Sequence, residues 1–373
     1  MKKVLQVLSG LSAGGAESML MNIYRNIDTT KVKFDFVVFG NENGIFSTEV
    51  INKGGKIFRV NALKEKGIIN FIKEMKNIIK ENGPYDAIHS HVDYLSGLVL
   101  MAAKICDVPI RISHSHSTNA ITHRGKLNYV THMFLKFLIS INTNYYLACN
   151  KEAAQYMFGK RNAKKAIVIN NAIDLYKFSE KGQYEKNKII DVLKLNISNK
   201  TKIITNIGRF VEAKNHRVLI DIFNSYHQKV SDSVLLLIGE GKLKKDIFEY
   251  VKNKNLSNCV RFLGATNDIP QILHISDAVV LPSIYEGLPV TLIEAQAMNV
   301  PCVVSDTIKK DVDCNLDLIY FKDYNDIEDY SNTIKEVTQK RKWIDNSFNM
   351  TKKGYNINNN ISIIYDIYGI KNK

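Results

Sequence analysis

Residues 202–229 have the sequence KIITNIGRFVEAKNHRVLIDIFNSYHQK, and this stretch decides the fold. The short apolar run at 202–207 is rich in β-branched residues, which predicts a buried strand. A loop with one glycine and two cations follows, and residues 216–229 are expected to form a helix. A strand, a glycine loop and a helix in this order are typical of a parallel sheet covered by helices.

The same alternation runs through the rest of the chain and predicts an α/β protein. In the first half, strands are predicted at 3–8, 34–39, 56–60, 87–91, 110–113, 145–148 and 166–169. In the second half, they are predicted at 202–207, 233–238, 260–263, 278–281 and 302–304. Helices are predicted at 17–26, 70–81, 95–106, 216–229, 241–254, 269–274 and 292–298. The sequence therefore predicts two Rossmann-like domains that face each other across a cleft.

The polar segment 170–200, rich in Lys, Asn and Ser, divides the two series of strands and is the predicted linker. A chain of 373 residues is also long enough for two domains. We therefore assign residues 1–180 to an N-terminal domain and residues 181–346 to a C-terminal domain.

The charge is strongly positive and uneven. Lys and Arg exceed Asp and Glu by 14, with a net charge of +10 in residues 1–180 and +4 in the remainder. Such a surface expects an anionic partner: nucleic acid, a phosphorylated small molecule or a membrane surface. The lysines are spread through predicted helices such as 64–80, whereas nucleic-acid binders often concentrate their charge in a compact basic cluster. Nucleic acid is therefore not the expected partner.

The five cysteines lie far apart and form no CxxC pair, which argues against a zinc module and a disulfide scaffold and indicates a reducing compartment. No apolar run approaches the length of a membrane-spanning helix, and the N-terminus lacks the features of a signal peptide. We expect a cytoplasmic protein that is not integral to a membrane.

Three loops follow predicted strands and could bind an anionic ligand. The first, SGLSAGGAE at 9–17, offers the backbone of Gly14 and Gly15 at a helix N-terminus. It is not a GxGxxG motif and no acidic residue follows at the required distance, which disfavours a nicotinamide cofactor. The alternative is a tight turn that binds nothing.

In the second loop, Arg209 and Lys214 follow Gly208 and could bind a diphosphate, the Arg as a planar fork and the Lys as a point charge. Alone, each would be an ordinary surface charge.

The third loop, SIYEGLPVTLIEA at 283–295, places Glu286 before a predicted helix and Glu294 about one turn inside it. Two such carboxylates could accept hydrogen bonds from sugar and ribose hydroxyls, while the helix N–H groups bind phosphate between them. The alternative is a capping Glu with a surface Glu. The residues between the carboxylates that we assign to donor binding are Gly287, Leu288, Pro289 and Val290.

Two His-Ser-His triplets, His89–His91 and His114–His116, each lie at a strand end. Alternating histidines could bind a metal, but no acidic or cysteine set accompanies them, so we predict no metal. The imidazoles are instead expected to line the cleft and to form hydrogen bonds with a substrate.

Taken in this order, the motifs resemble those of GT-B-fold glycosyltransferases of family 4, over nearly the whole chain. The loop at 14–17 resembles the family's GG-x-E, and VINNAIDLYKF at 168–178 resembles V-I-x-N-G-I-D-x-x-x-F. Residues 208–214 match G-R-x-x-x-x-K, and the pair of glutamates matches E-x7-E. The segment RISHSHS and the triplet 305–307 look closest to the exopolysaccharide and capsule-assembly branch. Asn299 stands where the family often has Gly, which suggests an altered turn.

This resemblance implies a retaining transferase that moves a sugar from a nucleotide diphosphate donor, UDP-linked, to a glycan or lipid-linked oligosaccharide. Arg209 and Lys214 would bind the diphosphate and Glu294 the ribose. Glu286 would lie at the sugar ring, and His116, with His114 beside it, would approach the transferred sugar from the first domain.

Neither a cofactor nor a metal is expected, since the two cations and the helix N–H groups can stabilise the leaving diphosphate. The resemblance also implies that residues 347–373 form a helix that returns to the first domain. The charge of that domain is then best explained by an anionic bilayer bearing the acceptor, with the protein peripheral at the inner face of the plasma membrane. Two alternatives stay open: a GT-B-fold epimerase of UDP-sugars and a non-catalytic sugar-nucleotide-binding protein.

Overall fold

A computed structural model describes residues 1–12, 14–40, 44–61, 63–116, 126–178, 185–266, 268–286, 288–341 and 343–371. The chain divides into two compact units. The first unit comprises Met1–Ala172 together with Asn356–Lys373, and the second comprises Ile173–Tyr355.

The first unit contains a seven-stranded parallel sheet in the order β3-β2-β1-β4-β5-β6-β7. Its strands are β1 (Lys2–Leu8), β2 (Val32–Phe39), β3 (Ile57–Val60), β4 (Ala87–Ser90), β5 (Ile110–Ser115), β6 (Tyr145–Ala148) and β7 (Ile167–Val168). Its helices are α1 (Gly15–Asn26), α2 (Ser47–Asn52), α3 (Leu63–Asn82), α4 (Ser96–Ile105), α5 (Lys126–Asn142) and α6 (Lys151–Ala163). The strand order reverses between β1 and β4, where folds of this kind bind ligands.

The second unit contains a six-stranded parallel sheet in the order β10-β9-β8-β11-β12-β13. Its strands are β8 (Lys202–Ile207), β9 (Ser233–Ile238), β10 (Val260–Gly264), β11 (Ala278–Leu281), β12 (Cys302–Ser305) and β13 (Ile319–Lys322). Its helices are α7 (Lys186–Val192), α8 (His216–Lys229), α9 (Lys244–Asn253), α10 (Ile269–Ile275), α11 (Val290–Ala297), α12 (Ile327–Val337) and α13 (Ser347–Lys352). Here the order reverses between β8 and β11.

Both sheets are therefore Rossmann-like, as the alternation predicted, and apolar residues pack on both faces of each. On one face of the first sheet, Val4, Leu8 and Phe36 pack against α1 and against a last helix, α14 (Ile357–Tyr368). On the opposite face, Leu5 and Val7 pack against α3 and α4.

The structure corrects the predicted domain boundaries. The segment expected to be a linker contains α7, and its Ile189 and Ile190 are buried in the core of the second unit. Ile173 and Phe178 are also buried in that unit, so it begins at Ile173 and not at residue 181. Composition was misleading because the many Lys and Asn residues here lie around a few buried isoleucines.

The C-terminal tail also differs from the expectation of a single returning helix over 347–373. It forms two helices: α13 belongs to the second unit, whereas α14 belongs to the first. Met350 of α13 is buried in the second unit, and Ile364 and Tyr368 of α14 are buried in the first.

Asn299 adopts a left-handed backbone conformation, with φ of 54°. Asn tolerates this region better than most residues, which explains how it can occupy a position that often has Gly. Its side chain also donates to the carbonyl of Ile344 at 2.8 Å and accepts from Asn346 at 2.9 Å. The turn therefore connects the end of α11 to the segment before α13.

None of the helices in the described part of the chain combines the length and the apolar character needed to cross a membrane.

We expect Ile364→Ala to lower the free energy of unfolding by about 2–4 kcal/mol, because Ile364 is buried between α14 and the first sheet. Asn359→Ala on the exposed face of the same helix should change it by less than about 0.5 kcal/mol. Urea unfolding of the full chain measures both. Equal effects of the two substitutions would show that α14 does not complete the core.

Candidate active site

The loop after β8 brings the predicted cations to the carboxyl edge of the second sheet. Gly208 follows the strand directly, and a Cβ there would lie 3.2 Å from Cδ and Cε of Lys214. The missing side chain thus leaves room for the lysine stem to pass back across the loop. Lys214 closes a 3-10 turn, and α8 begins two residues later.

Lys214 forms an ion pair with Glu286, whose carboxylate lies on the loop after β11. Both side chains are largely buried, with exposures of 17% and 11%. The hydroxyl of Ser283 donates to the same Glu286 oxygen at 2.9 Å. A buried charge pair with an additional hydrogen bond is held in one geometry, because separating the charges leaves each of them desolvated and unpaired.

The triplet 305–307 supports this arrangement from the neighbouring strand. Ser305 and Thr307 hydrogen-bond to each other at 2.8 Å, and the Thr307 hydroxyl donates to the carbonyl of Ser283 at 2.9 Å. These contacts fix the loop that carries Glu286.

Arg209 differs from Lys214, because its side chain is exposed and no ion pair reaches it from the described residues. The N-terminus of α11 is also open: its first turn has no acidic residue and no side-chain cap, and it begins directly after Pro289. Leu288 precedes it, while Gly287 lies outside the described residues. A free guanidinium and uncapped helix N–H groups are the components of an anion site.

Glu294 lies in the middle of α11, and burial raises the pKa of its carboxyl to about 7. No cation among the described residues is paired with it. Hydroxyl groups that donate hydrogen bonds to a buried carboxylate stabilise its charged form.

Two features of this edge were missed by the sequence analysis. Gly239 and Gly241 follow β9 with φ of 143° and 156°, and a Cβ at Gly241 would lie 2.7 Å from the backbone nitrogen of Phe210. They let the loop after β9 pack directly on the loop after β8. The sequence indicates this close packing by two glycines, with one residue between them, at the end of a predicted strand.

Gln296 is the other missed residue. It is fully buried and donates to the carbonyls of Leu292 and Val312 at 2.9 and 2.8 Å, while it accepts from the backbone of Cys314 at 2.9 Å. These bonds fix the position of α11. An isolated Gln gives no recognisable sequence signal.

In the first unit, Gly14 caps α1 and Gly15 is its first residue. The carboxylate of Glu17 folds over Gly14 so closely that a Cβ there would clash with it, and it accepts from Ser9 at 3.2 Å. A Cβ at Gly15 would meet nothing within 4 Å. A carboxylate thus already lies at the N-terminus of α1, unlike that of α11.

The two His-Ser-His triplets bring four imidazoles together. Alternate residues of a strand point to the same face, so each triplet places both of its histidines on one side of the sheet. β4 and β5 are neighbours, and ring centroids are 4.2 Å apart both for His89 and His91 and for His114 and His116. The serines between them point away, where Ser90 bonds to Ser96 and Ser115 to the carbonyl of Ala153.

One chain of hydrogen bonds starts at the side-chain amide nitrogen of Gln6 in β1. Gln6 donates from Nε2 to the hydroxyl of Tyr368 at 3.1 Å, so the tyrosine proton is free to donate to Nδ1 of His89 at 2.8 Å. His89 then carries its proton on Nε2 and donates to Nδ1 of His114 at 3.1 Å. His114 in turn carries its proton on Nε2, a buried atom that has no hydrogen-bond partner among the described residues.

A second chain starts at the carbonyl of the same Gln6. This oxygen accepts from Nε2 of His91 at 3.1 Å, which leaves Nδ1 of His91 as an acceptor. Nε2 of His116 donates to it at 2.8 Å. The Nδ1 lone pair of His116, at the partly exposed end of the cluster, therefore has no donor among the residues that the structure describes. One amide thus assigns the same Nε2–H tautomer to all four rings.

Burial keeps these imidazoles neutral. It lowers the pKa of His89 to about 3 and that of His116 to about 4, and it lowers the pKa values of His91 and His114 well below the ordinary range. Neighbouring imidazoles also disfavour charge on His89, His91 and His114. Neutral rings are what the tautomer assignment requires.

His89, His91 and His114 each offer a nitrogen within 4.8 Å of the others, as a metal site would. However, the hydrogen bonds described above already engage both nitrogens of His89 and His91 and one nitrogen of His114. Binding a metal would break several of these bonds, so the absence of a metal stays a prediction.

We predict that all four histidines show the Nε2–H tautomer and stay neutral between pH 8 and pH 5, as measured by long-range proton–nitrogen NMR of histidine-labelled protein. Tyr368→Phe removes the donor to His89 and should perturb the spectra of His89 and His114. His91 should change little, because its partner is the carbonyl of Gln6, and it serves as the internal control. An Nδ1–H tautomer in the wild-type protein would refute the assignment.

The same lowered pKa values predict acid sensitivity. The unfolded chain takes up protons at histidine near pH 6.5, whereas the buried rings do not. The contribution of these histidines to the free energy of unfolding should therefore be constant above that pH and fall as the pH decreases toward 4. The slope is up to about 1.4 kcal/mol per pH unit for each buried histidine. Urea unfolding at pH 7.5, 6.0 and 5.0 measures it, and a flat profile would contradict buried neutral histidines.

Comparison with known proteins identifies the family. Residues 13–177 match the model of the family described as Glycosyltransferase Family 4, and residues 187–356 match that of Glycosyl transferases group 1. EpsF of Bacillus subtilis (strain 168), a glycosyltransferase by name, is 34% identical over 99% of this chain and 97% of its own. The protein of Escherichia coli named UDP-Gal:alpha-D-GlcNAc-diphosphoundecaprenol alpha-1,3-galactosyltransferase is 27% identical over 90% and 89%.

CapH of Staphylococcus aureus, named as a capsular polysaccharide biosynthesis glycosyltransferase, is 26% identical over 99% of both chains. Among solved structures, HepE of Anabaena in complex with UDP has a TM-score of 0.68 at 18% identity and covers 99% of this chain and 97% of its own. At this identity the likeness shows the fold. Matches over both halves and a relative that is 34% identical along nearly the whole chain show that the protein belongs to glycosyltransferase family 4. It is an enzyme with the two Rossmann-like domains of the GT-B fold.

Proposed function

We propose that this glycosyltransferase moves a sugar from a UDP-linked donor, with retention of anomeric configuration, to a lipid-linked or glycan acceptor in surface polysaccharide synthesis. The E. coli relative is named for a UDP-Gal donor and a diphosphoundecaprenol acceptor, and CapH is named for capsular polysaccharide. The Anabaena structure contains UDP. These names support the class of donor and acceptor, and the reaction takes place in the cytoplasm in this proposal.

The observation that carries the proposal is the arrangement of charge at the edge between β8 and β11. Lys214 is already neutralised by Glu286, so the free guanidinium of Arg209 is the charge that first attracts a diphosphate. When the phosphates arrive, the Lys214 ammonium has donors to share with them. Glu286 then remains positioned by Ser283 at the sugar ring.

The N-terminus of α11 supplies the remaining contacts to phosphate. The backbone N–H groups of Val290 and Thr291 precede the first internal hydrogen bonds of the helix and lack a side-chain cap. No carboxylate in the first turn competes with the ligand. In this proposal Leu288 and Pro289 contact the donor, as does the backbone at Gly15, where a Cβ would meet nothing within 4 Å.

Glu294 is proposed to accept hydrogen bonds from the ribose hydroxyls. Because burial raises its pKa to about 7, a bound ribose favours the charged carboxylate and lowers that pKa. The affinity for the donor should accordingly be greater at pH 8 than at pH 6.

His116 is proposed to contact the transferred sugar. The Nδ1 left over by the tautomer chain can accept a hydrogen bond from a sugar hydroxyl but cannot donate one. His114 is buried, whereas His116 is partly exposed. Of these two histidines, His116 therefore contacts the ligand in this proposal, and His114 helps to hold the cluster of rings in place.

In the transfer step, the bond from the anomeric carbon to the diphosphate oxygen breaks and a bond to the acceptor oxygen forms on the same face. The proton of the acceptor hydroxyl passes to the leaving phosphate, so no separate general base is needed. Arg209, Lys214 and the N–H groups of α11 stabilise the charge that develops on the diphosphate. We propose that no metal ion takes part, and turnover should persist in EDTA.

The test is a screen of UDP-sugars and GDP-sugars against lipid-diphosphate acceptors, with products identified by mass and linkage by NMR. We expect transfer from one UDP-sugar with the anomeric configuration retained. Donor turnover to an epimer without any acceptor would replace the proposal with an epimerase. Binding of a donor with neither transfer nor epimerisation would favour a non-catalytic sugar-nucleotide-binding protein, and failure of every donor to bind would overturn the proposal.

In the same assay, we expect Arg209→Ala to raise the KM for the donor about 10- to 100-fold, because it removes the unpaired cation. Glu286→Gln should lower kcat about 100-fold with a smaller effect on KM. Lys245→Ala and Glu249→Gln are control substitutions of the same kind at exposed positions of α9 and should stay within about twofold of wild type. Unchanged turnover in Glu286→Gln would remove this glutamate from the reacting centre.

A further inference from the structure

We propose that the outer face of α5 docks on the surface of an anionic lipid bilayer. The apolar stripe, defined as Val130, Met133, Phe134, Phe137 and Ile141, follows the spacing of one helix face. These five side chains are between 46% and 65% exposed. Exposed single apolar residues are common, but a row of five along about three turns marks an interaction surface.

The inner face of α5 is fully used by the fold. Leu135, Leu138 and Ile139 are buried, and α5 lies so close to α4 that a Cβ on Gly97 would be 2.9 Å from Cβ of Leu138. The helix is therefore apolar on two opposite sides. Burial in the core accounts for one side only, and the stripe requires a separate explanation.

Lys136 shows that the edge of the helix is also fixed. Its ammonium donates to the carbonyl of Tyr156 at 2.6 Å and lies 5.6 and 5.2 Å from the ring centroids of Tyr94 and Tyr156. This lysine thus points toward Tyr94 and toward Tyr156 of α6, and it does not interrupt the stripe. The outward face keeps its apolar character despite a lysine in the middle of the helix sequence.

The charge around the stripe selects the occupant. No acidic residue occurs between Asp107 and Glu152, and residues 101–172 contain ten Lys and Arg but two acidic residues. The segment that contains α5 therefore carries +8 of the net charge of +10 in residues 1–180. The exposed basic side chains that the structure describes in this segment are Lys104, Lys151, Lys160, Arg161, Lys164 and Lys165.

These cations lie on the elements adjoining α5. Lys104 donates to the carbonyl of Ile141 at 3.1 Å, at the C-terminal end of the stripe, and the other five lie on α6 or just after it. α6 packs against α5. An apolar row flanked by cations is the surface that binds anionic headgroups while its aromatic side chains enter the acyl boundary.

A second copy of this chain fits the surface less well, because it would bring two strongly basic segments together. An anionic bilayer neutralises them instead. The role of this docking depends on the proposed function, because a lipid-linked acceptor would present its diphosphate at the same membrane surface. The binding itself needs neither donor nor acceptor, so the two proposals can fail separately.

The experiment is co-sedimentation of the full chain with vesicles of phosphatidylcholine alone or mixed with phosphatidylglycerol. We expect binding to the mixed vesicles that weakens with salt and weaker binding to phosphatidylcholine. The double variant Phe134→Ser, Phe137→Ser should bind at least tenfold more weakly. The control is Phe248→Ser, Phe348→Ser, which removes two exposed phenylalanines of the second unit and should bind as wild type.

Both double variants should remain folded and monomeric, as shown by circular dichroism and light scattering. Equal vesicle binding by wild type and the α5 variant would overturn the docking surface. A wild-type dimer that the α5 variant converts to a monomer would assign the stripe to self-association and overturn it too. Transfer to a short-chain, water-soluble acceptor should be unaffected by the α5 substitutions, and loss of that activity would contradict a role confined to the membrane.

Discussion

The reversal of strand order in the middle of each parallel sheet is the constraint on which the candidate site depends. Strands on either side of the reversal connect to helices on opposite faces, so the loops that follow β8 and β11 diverge and leave a crevice at the carboxyl edge. Arg209 and Lys214 come from one of these loops and Glu286 from the other. The first sheet repeats this geometry, with Gln6 on β1 next to His89 on β4.

The ion pair between Lys214 and Glu286 is better explained by positioning than by stability. Withdrawing two charges from water costs nearly as much as their attraction returns, so the net contribution of such a pair is small. Its value lies in the fixed location of an ammonium and a carboxylate whose charges cancel. In the proposed donor complex, the exposed Arg209 and the uncapped N-terminus of α11 therefore attract the anionic ligand.

Sequence patterns predicted much of this architecture because short parallel strands have distinctive composition. Residues 202–207, 233–238 and 278–281 form strands with the predicted bounds. β13 was missed, and its residues are only partly buried, which weakens the apolar signal. The linker prediction was wrong because Ile189 and Ile190 are two buried residues in a polar segment. When an element contacts the core through only one or two side chains, most of its residues are exposed, and its overall composition is therefore that of a polar loop.

The site shows the same limit at the level of single atoms. The alternation His-Ser-His was enough to predict that imidazoles gather at a strand end, but not which nitrogen carries each proton. That depends on Gln6 and Tyr368, which are 362 residues apart and meet only in the folded chain. The side-chain NH2 group of Gln6 begins one chain of rings and its carbonyl oxygen begins the other. Exchanging the positions of these two groups would therefore reverse the direction of every hydrogen bond in both chains. His116 would then offer a donor in place of an acceptor, so the hydrogen-bonding character of His116 depends on Gln6, to which it is linked only through His91.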